Sequence, residues 1–254
     1  MNLTAIGTGT IAPWNERASP AYWIEAGSVR LLLDLGAGAL HRAAALGVAW
    51  HTVTHVAITH FHPDHWSDLP GLLYALRWGI EPPRSEPLVL LGPRGLKARL
   101  TLLAGAFGDT VVEPGYPVVI EELEAGDGRA LAAAVDIETC ATPHTAESLA
   151  YGIRADGARL VYTGDTGPSD ALAEWAAGCD LLLAECSLPD ERALDLHLTP
   201  SRAGALARTA RAGRLVLTHF YPMFQGADPA ALAAKEYDGP VVAARDGDKF
   251  TVGT

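Results

Sequence analysis

Residues 60–65 form a dense cluster of side chains of metal-binding type, His60-Phe61-His62-Pro63-Asp64-His65. The cluster directly follows an apolar run, which predicts a buried strand before it. On extended backbone alternate side chains point to the same side, so His60 and His62 can reach one ion. Asp64 and His65 lie past Pro63, where the chain turns toward a helix, and can reach a neighbouring ion. Imidazole and carboxylate suit zinc and other divalent first-row metals. The alternative is a group of polar residues in an exposed loop, but three histidines and an aspartate within six residues favour metal binding.

Helices after this cluster are predicted from periodicity and capping residues. Four leucines repeat at helical spacing between 69 and 76, so a helix is predicted over Leu69–Trp78, with Gly79 ending it. A second helix begins after Thr199, a good N-cap, with Pro200 at its first position, and runs to Gly213. Further helices are predicted at 94–107 and 170–177.

Short apolar runs alternate with these helices and predict strands along the whole chain. The alternation indicates a layered α/β or α+β architecture. No low-complexity linker divides the sequence, so we expect one domain over 1–254. The predicted strands are 3–6, 22–25, 29–34, 53–59, 88–91, 118–123, 135–140, 149–153, 159–162, 181–185, 215–218 and 241–243.

Two short patterns occur twice in the chain. Thr59-His60 follows one apolar strand and Thr218-His219 follows another. Asp34 and Asp165 each come at or just after the end of a different apolar strand. These repeats predict two halves whose strand ends face one cleft, with chance similarity as the alternative.

Composition and charge exclude several classes of protein. Of the 254 residues 49% are apolar, which excludes a disordered chain, and no apolar run reaches the roughly 18 residues of a membrane-spanning helix. The 19 basic residues face 30 acidic ones, a net charge of −11. Extended nucleic acid is therefore disfavoured as a tightly held partner, although a local basic patch stays compatible with this balance. Three cysteines without CxxC spacing indicate a reducing cytoplasm, and we expect no membrane association.

The His-x-His-x-Asp-His pattern resembles the metal-binding motif of the metallo-β-lactamase superfamily. The other ligands that this resemblance implies follow in order, as Pro143-His144, Thr163-Gly164-Asp165-Thr166 and Thr218-His219. It implies that His60, His62 and His144 hold one ion, that Asp64, His65 and His219 hold a second, and that Asp165 spans both. It also implies an α+β fold, the four-layer αβ/βα sandwich, with two facing mixed sheets and helices outside. Two divalent ions are expected, Zn²⁺ first, while Mn²⁺ or iron also suits such ligands.

Other segments resemble the ribonuclease Z branch of the superfamily and its phosphodiesterase relatives. They are 7–10, 32–36, 69–73, Glu185 at a strand end, and His197-Leu198-Thr199 before a helix. In that branch the histidine is proposed to protonate the leaving oxygen, and its carboxylate partner orients the imidazolium. The resemblance therefore implies that Glu185 and His197 are catalytic, together with Asp64. Asp34 is expected to support a metal-ligating histidine.

Two departures separate the chain from the tRNA-processing members of that branch. Those members insert a long arm between the third histidine and the bridging aspartate, whereas His144 and Asp165 are 21 positions apart, which leaves room for a hairpin. The expected Arg-Tyr after the last histidine is replaced by Phe220-Tyr221-Pro222. With the acidic charge balance, these departures favour a small phosphodiester or short nucleotide as the substrate. The predicted reaction is hydrolysis by a hydroxide that bridges two metal ions.

Three alternatives remain open. One is a ribonuclease Z-like endonuclease of tRNA 3′ ends. Another is a thioester, lactone or β-lactam hydrolase on the same fold, because only Glu185, His197 and the ribonuclease Z-like spacing favour a phosphodiester. The third is an inactive metal-binding interaction module, against which the complete ligand set argues. A homodimer is expected from the resemblance alone.

Overall fold

The computed structural model describes residues 1–253, whose strands form two seven-stranded sheets. The strands of the first sheet are β1 (Asn2–Gly7), β2 (Ala21–Ala26), β3 (Val29–Leu33), β4 (His55–Ala57), β5 (Leu88–Pro93), β6 (Val118–Leu123) and β14 (Lys249–Thr251). Those of the second are β7 (Gly128–Ala132), β8 (Val135–Ala141), β9 (Leu149–Ala155), β10 (Ala158–Tyr162), β11 (Leu181–Glu185), β12 (Leu215–Thr218) and β13 (Val241–Ala243). The strand orders are β14-β1-β2-β3-β4-β5-β6 and β7-β8-β9-β10-β11-β12-β13.

Both sheets are mixed and follow the same pattern of pairing. From β14 to β3 and from β7 to β10 the neighbours are antiparallel, and from there to the far edge they are parallel. Asp34 after β3 and Asp165 after β10 occupy equivalent places in this pattern. The strand equivalent to β4 is β11, however, so Thr59-His60 and Thr218-His219 follow strands that are not equivalent. The predicted two halves are therefore present, but only the aspartate repeat matches them.

Helices cover the outer face of each sheet, which gives four layers. The helices are α1 (Ala39–Ala45), α2 (Pro63–Trp66), α3 (Leu69–Trp78), α4 (Leu96–Phe107), α5 (Asp170–Trp175), α6 (Pro200–Ala210) and α7 (Pro229–Ala233). One apolar core lies between the two sheets. Each sheet also packs against its own helices around a further apolar core, which gives three cores in the described part of the chain. The predicted α+β four-layer αβ/βα sandwich is confirmed. No helix within residues 1–253 combines the length and apolar character needed to cross a membrane.

Local sequence explains the helices that position the site. Helix α6 begins where the Thr199 hydroxyl accepts a hydrogen bond from the Arg202 N–H, with Pro200 in the first turn, so its predicted start is confirmed. Helix α3 occupies the predicted Leu69–Trp78 range and buries its four leucines against the first sheet. Pro63 begins α2 directly after His62, which turns Asp64 and His65 back toward the cleft.

The predicted elements differ from the structure in two instructive places. The predicted strand 53–59 shortens to His55–Ala57, because the Thr59 N–H donates to the Asp34 carboxylate instead of a neighbouring strand. No strand is predicted over 128–132, but the exposed strand β7 begins at Gly128 and pairs with β8. Its Gly and Ala residues carry little strand propensity, so tertiary pairing decides the conformation.

Candidate metal centre

Several strand ends bring the predicted site residues to one edge of the sandwich. His60 follows β4, His144 follows β8, Asp165 follows β10, Glu185 ends β11 and His219 follows β12. In the second sheet β10, β11 and β12 are parallel, and β8 runs in the same direction because β9 is antiparallel to both of its neighbours. Their carboxyl ends therefore share one edge, where open sheets commonly place ligand sites.

His60, His62 and His144 form the open cluster, named for the exposed His62. The His62 Nδ1 atom lies 3.0 Å from His60 Nε2 and 3.1 Å from His144 Nε2. Asp165 Oδ2 lies 3.9 Å from His60 Nε2 and 3.7 Å from His144 Nε2. Donors about 2.1 Å from one tetrahedral ion lie roughly 3.4 Å apart. These separations are compatible with one shared ion.

Asp64, His65 and His219 form the buried cluster. His219 Nε2 lies 3.5 Å from Asp64 Oδ2 and 3.3 Å from Asp165 Oδ1, and His65 Nε2 also lies 3.3 Å from Asp165 Oδ1. Asp165 thus directs one carboxylate oxygen toward each cluster. All seven residues that the resemblance implies as ligands come together at this edge.

Orphaned polar atoms test whether these residues fit a metal. Among residues 1–253, His65 Nε2, Asp165 Oδ1 and His219 Nε2 are buried without a hydrogen-bond partner. Each such group costs about 1–3 kcal/mol when left unsatisfied. The three atoms face one another, so a single cation would satisfy them together. The donor set of imidazoles and carboxylates therefore fits a divalent metal.

The hydrogen bonds behind the buried cluster fix the tautomer of each imidazole. His65 Nδ1 donates to Asp34 Oδ2 at 2.7 Å. His219 Nδ1 donates to Ser187 Oγ at 2.7 Å, because Ser187 uses its own proton on Glu185 Oε2. Each ring therefore uses Nδ1 on this outer contact and turns Nε2 toward the centre, which is the arrangement that supports metal-ligating histidines.

The open cluster is supported in the same way by different groups. The Thr59 hydroxyl donates to Asp34, so it accepts from His60 Nδ1 at 3.0 Å. His144 Nδ1 donates to the Leu196 carbonyl oxygen at 3.1 Å. Each of these histidines therefore turns its Nε2 lone pair toward His62.

Asp34 is the centre of the supporting hydrogen bonds. Its fully buried carboxylate accepts from His65, from the Thr59 N–H at 2.8 Å and from the Tyr162 hydroxyl at 2.8 Å. The predicted supporting contact from Asp34 to a histidine of the cluster is present. Thr59, Ser187 and Tyr162 were not predicted. Thr59 and Ser187 lie within two residues of a strand end, the position that identified the histidines, but hydroxyl residues are too common there to stand out.

Charge and burial set the protonation of these groups in opposite directions. Burial lowers the pKa of His60, and the neighbouring His65 lowers it further, so His60 is neutral with a free lone pair. Burial opposes ionisation of Asp165, but the imidazoles of His219 and His65 outweigh it and hold the pKa of Asp165 well below its usual range. Burial would lower the pKa of His65, but Asp165 and Asp34 raise it. The carboxylates therefore favour positive charge at this centre.

Beside the two clusters lies the pair Glu185 and His197. Glu185 is fully buried, and its Oε1 accepts from His197 Nδ1 at 2.9 Å and from the Thr166 N–H at 2.8 Å. The His197 ring centroid is 5.0 Å from that of His144. Burial lowers the pKa of His197, but the hydrogen bond and charge of Glu185 outweigh burial and raise it. The contact with Glu185 thus favours the protonated form of this imidazole at the edge of the centre.

Two residues of the centre have left-handed backbone conformations that non-glycine residues seldom adopt. Asp34 has φ 56° and His219 has φ 61°. Such conformations cost on the order of 1–3 kcal/mol and are concentrated at functional sites. Gly36 allows a further close approach, because a Cβ there would lie 1.7 Å from the Asp64 carbonyl oxygen.

Comparisons with known proteins agree with this fold and site. The Beta-lactamase superfamily domain family matches residues 30–220. A relative called Ribonuclease Z from Mycobacterium bovis (strain BCG / Pasteur 1173P2) is 31% identical over 281 aligned positions, covering 97% of this chain and 96% of the relative.

Two solved structures have the same fold over nearly the whole chain. One is the metallo-beta-lactamase fold protein YhfI from Bacillus subtilis, at TM-score 0.85 and 23% identity, covering 99% of each chain. The other is the short form of human tRNase Z, at TM-score 0.81 and 23% identity, covering 100% of each chain. The chain therefore belongs to the metallo-β-lactamase superfamily, among its ribonuclease Z-like members, and is a metal-dependent hydrolase.

Proposed function

We propose that this hydrolase cleaves phosphodiester bonds and that RNA is its favoured substrate class. The observation that carries the proposal is the Glu185–His197 pair, held at 2.9 Å beside the histidine and aspartate clusters. A phosphodiester expels an alkoxide, which needs a proton donor, and this pair supplies one. The ribonuclease Z relatives favour RNA over the small phosphodiester that was our main prediction.

The seven predicted ligands would hold two divalent cations. His60, His62 and His144 would hold one, Asp64, His65 and His219 the other, and Asp165 would contact both. Zn²⁺ is our first choice, because histidine nitrogens outnumber carboxylates in the set, with Mn²⁺ or iron as the alternatives. When bound, two such ions activate water and neutralise charge on the phosphoryl oxygens.

The chain's own residues then act on the leaving group and on orientation. The His197 Nδ1–H donates to Glu185, so the other ring nitrogen, Nε2, is free to give its proton to the departing oxygen. Glu185 keeps that imidazole protonated and fixes its direction. Asp64 is the carboxylate of the buried cluster, and its Oδ2 lies 3.5 Å from His219 Nε2. We place Asp64, Glu185 and His197 in the catalytic machinery.

A small phosphodiester is the second candidate because of one feature of the chain. Between His144 and Asp165 the described residues form only the hairpin of β9 and β10, joined at Asp156 and Gly157. The predicted hairpin is confirmed, and the long arm of the tRNA-processing members is replaced by it. A short substrate needs no such arm.

Parallel assays on one protein preparation separate these candidates. Substrates would be a tRNA precursor with a 3′ trailer, bis-p-nitrophenyl phosphate, a thioester and a lactone. We expect cleavage of the phosphodiesters, with the RNA preferred, and strong loss of RNA cleavage in His197→Ala. The matched control is His51→Ala, an exposed histidine away from the centre, which should behave as wild type. Hydrolysis of the thioester or lactone alone would contradict the proposal.

Three further expectations remain proposals. A homodimer rests on the resemblance and would be measured by light scattering. One folded domain over 1–254 would unfold in one cooperative transition. A reducing compartment, the cytoplasm, suits the free thiols of Cys140, Cys179 and Cys186, and fractionation of the source cells would test it.

A further inference from the structure

A cavity of about 630 Å³ lies between the segment 10–19 and helix α1. We call it the loop cavity, and none of the seven proposed ligands lines it. Its volume falls in the range of small-molecule sites, about 300–1,000 Å³. Neither the cavity nor its residues have a part in the chemistry described above.

Residues next to both walls of the loop cavity contact residues of, or adjacent to, the buried cluster. On one side, Phe220, next to His219, donates its N–H to the Thr8 carbonyl at 2.9 Å, and Gly9 forms a β-bridge with Phe220. On the other, a Cβ at Gly36 would lie 1.7 Å from the Asp64 carbonyl oxygen and 2.6 Å from the Ser19 Cβ. The cavity therefore begins within a few residues of the metal centre on both sides, and Ser19 of its lining and Asp64 of the buried cluster both lie against Gly36.

The lining of the loop cavity suits a flat, uncharged group. Ile11, 50% exposed, lies beside Pro13 and the half-buried Trp14. The guanidinium of Arg17 stacks between the rings of Trp14 and Phe220, at 5.1 and 4.6 Å from their centroids. Trp14 is thereby held in place as a platform. Aromatic platforms of this kind stack nucleic-acid bases without preference for sequence.

The cations that border the cavity are already paired within the protein. Arg42 Nε lies 3.2 Å from the buried carboxylate of Asp246, and Arg17 Nη1 donates to the Ala244 carbonyl and the Thr8 hydroxyl. The Arg42 charge is therefore paired with Asp246, and the Arg17 guanidinium is engaged in internal hydrogen bonds and ring stacking, which argues against a phosphate in the cavity. The exposed side chains of Asn15 and His41 instead offer hydrogen-bonding groups at its rim.

We infer that the loop cavity binds the base of the nucleotide next to the scissile phosphate, by stacking on Trp14. The inference rests on the proposed phosphodiester hydrolysis and deepens it, since it selects substrates that carry a nucleobase near the reacting phosphorus. A base in the cavity and a phosphate at the metal centre would then belong to one nucleotide unit, because the cavity lining and the buried cluster meet at Gly36.

The test compares two chromogenic esters that differ in the base. One is thymidine 5′-(p-nitrophenyl phosphate) and the other is methyl p-nitrophenyl phosphate, which has no base. Wild type should prefer the thymidine ester in kcat/KM. Trp14→Ala should lower that preference about ten- to hundredfold through KM, as expected from the loss of one base–aromatic stack. An unchanged preference would overturn the inference.

Two further variants guard against a folding defect. Ala45→Trp places a large side chain in the cavity from the exposed end of α1 and should lower the same preference without removing any packing. Trp78→Ala removes a 64% exposed tryptophan on α3, outside the cavity, and should leave both esters unaffected. Equal loss on both esters in Trp14→Ala and Ala45→Trp would show a structural role and contradict base binding.

Failure of the proposed function has a different signature. If wild type hydrolyses neither ester, phosphodiester hydrolysis fails, but calorimetry with adenosine 5′-monophosphate still decides about the cavity. Binding to wild type that weakens at least fivefold in Trp14→Ala would support the base site. Absence of binding, or an equal dissociation constant in both proteins, would overturn it.

Discussion

The open and buried clusters differ in composition and in the groups that support them. The buried cluster of Asp64, His65 and His219 carries a carboxylate of its own. Its imidazoles donate hydrogen bonds to the side chains of Asp34 and Ser187. The open cluster has an exposed member, His62. Its His144 donates a hydrogen bond to the backbone carbonyl of Leu196, in the segment before α6. Since negative charge and rigid support favour a cation, we expect the buried cluster to hold its ion more tightly.

The largest effect should come from the residue that the two clusters share. Asp165→Ala removes the carboxylate that faces both and leaves the imidazoles of His65 and His219 without their counter-charge. Turnover of an activated phosphodiester should fall more than about 1,000-fold, with loss of metal from both clusters. Steady-state kinetics and elemental analysis measure the two effects. Asp170→Ala, an aspartate outside the site in the first turn of α5, is the control. Wild-type turnover in Asp165→Ala would contradict the assignment of Asp165 as the residue that both clusters share.

Next in size is the loss of the proton donor, which should leave both clusters intact. His197→Ala should lower kcat about 100- to 1,000-fold on a substrate with a poor leaving group, and far less on a p-nitrophenyl ester, whose leaving group needs little protonation. Metal content should equal that of wild type. Equal loss on both substrates would show that His197 is a metal ligand or a structural residue instead.

A smaller effect should separate the clusters. Asp34→Asn keeps the shape of the side chain but removes the negative charge that His65 contacts at 2.7 Å. Metal affinity of the buried cluster should fall about 10- to 100-fold, as expected for partners of metal-bound histidines. A competition titration with a chelator measures each step. The step assigned to the open cluster should shift less, although Thr59 links His60 to the same carboxylate. A larger shift of that step would reverse the assignment.

The smallest effect concerns the segment that supports the open cluster. Partial burial raises the pKa of Asp190, but hydrogen bonds from Thr199 and Ser201 outweigh it and lower the pKa below its usual value. The stabilisation is therefore present above the unfolded pKa near 3.9 and is lost as pH falls through the lower folded value. Asp190→Asn should lower Tm by roughly 2 °C at pH 7. As pH falls through the folded value the difference should shrink toward zero, and a difference that stays constant would contradict this cause.

The spacing of the site residues along the chain explains how much of the centre could be predicted from the sequence. His60, His62, Asp64 and His65 are contiguous, so their chemistry is visible without a fold. His144, Asp165 and His219 lie far apart and were predictable only through a resemblance that supplied their places. The contact with Leu196 could not be predicted, because it is made by a backbone carbonyl, and every residue type has one. Among the strands, β7 and β14 were missed because both are short or weakly apolar edge strands whose pairing depends on distant neighbours.

Metal stoichiometry tests the central claim most directly. Elemental analysis of the purified protein, compared with Asp165→Ala and His62→Ala prepared alongside, should give close to two divalent ions per chain in wild type. His62→Ala should keep the ion of the buried cluster, and Asp165→Ala should lose most of both. Wild-type protein that holds no divalent ion after dialysis against zinc, or an unchanged pair of ions in Asp165→Ala, would contradict the account.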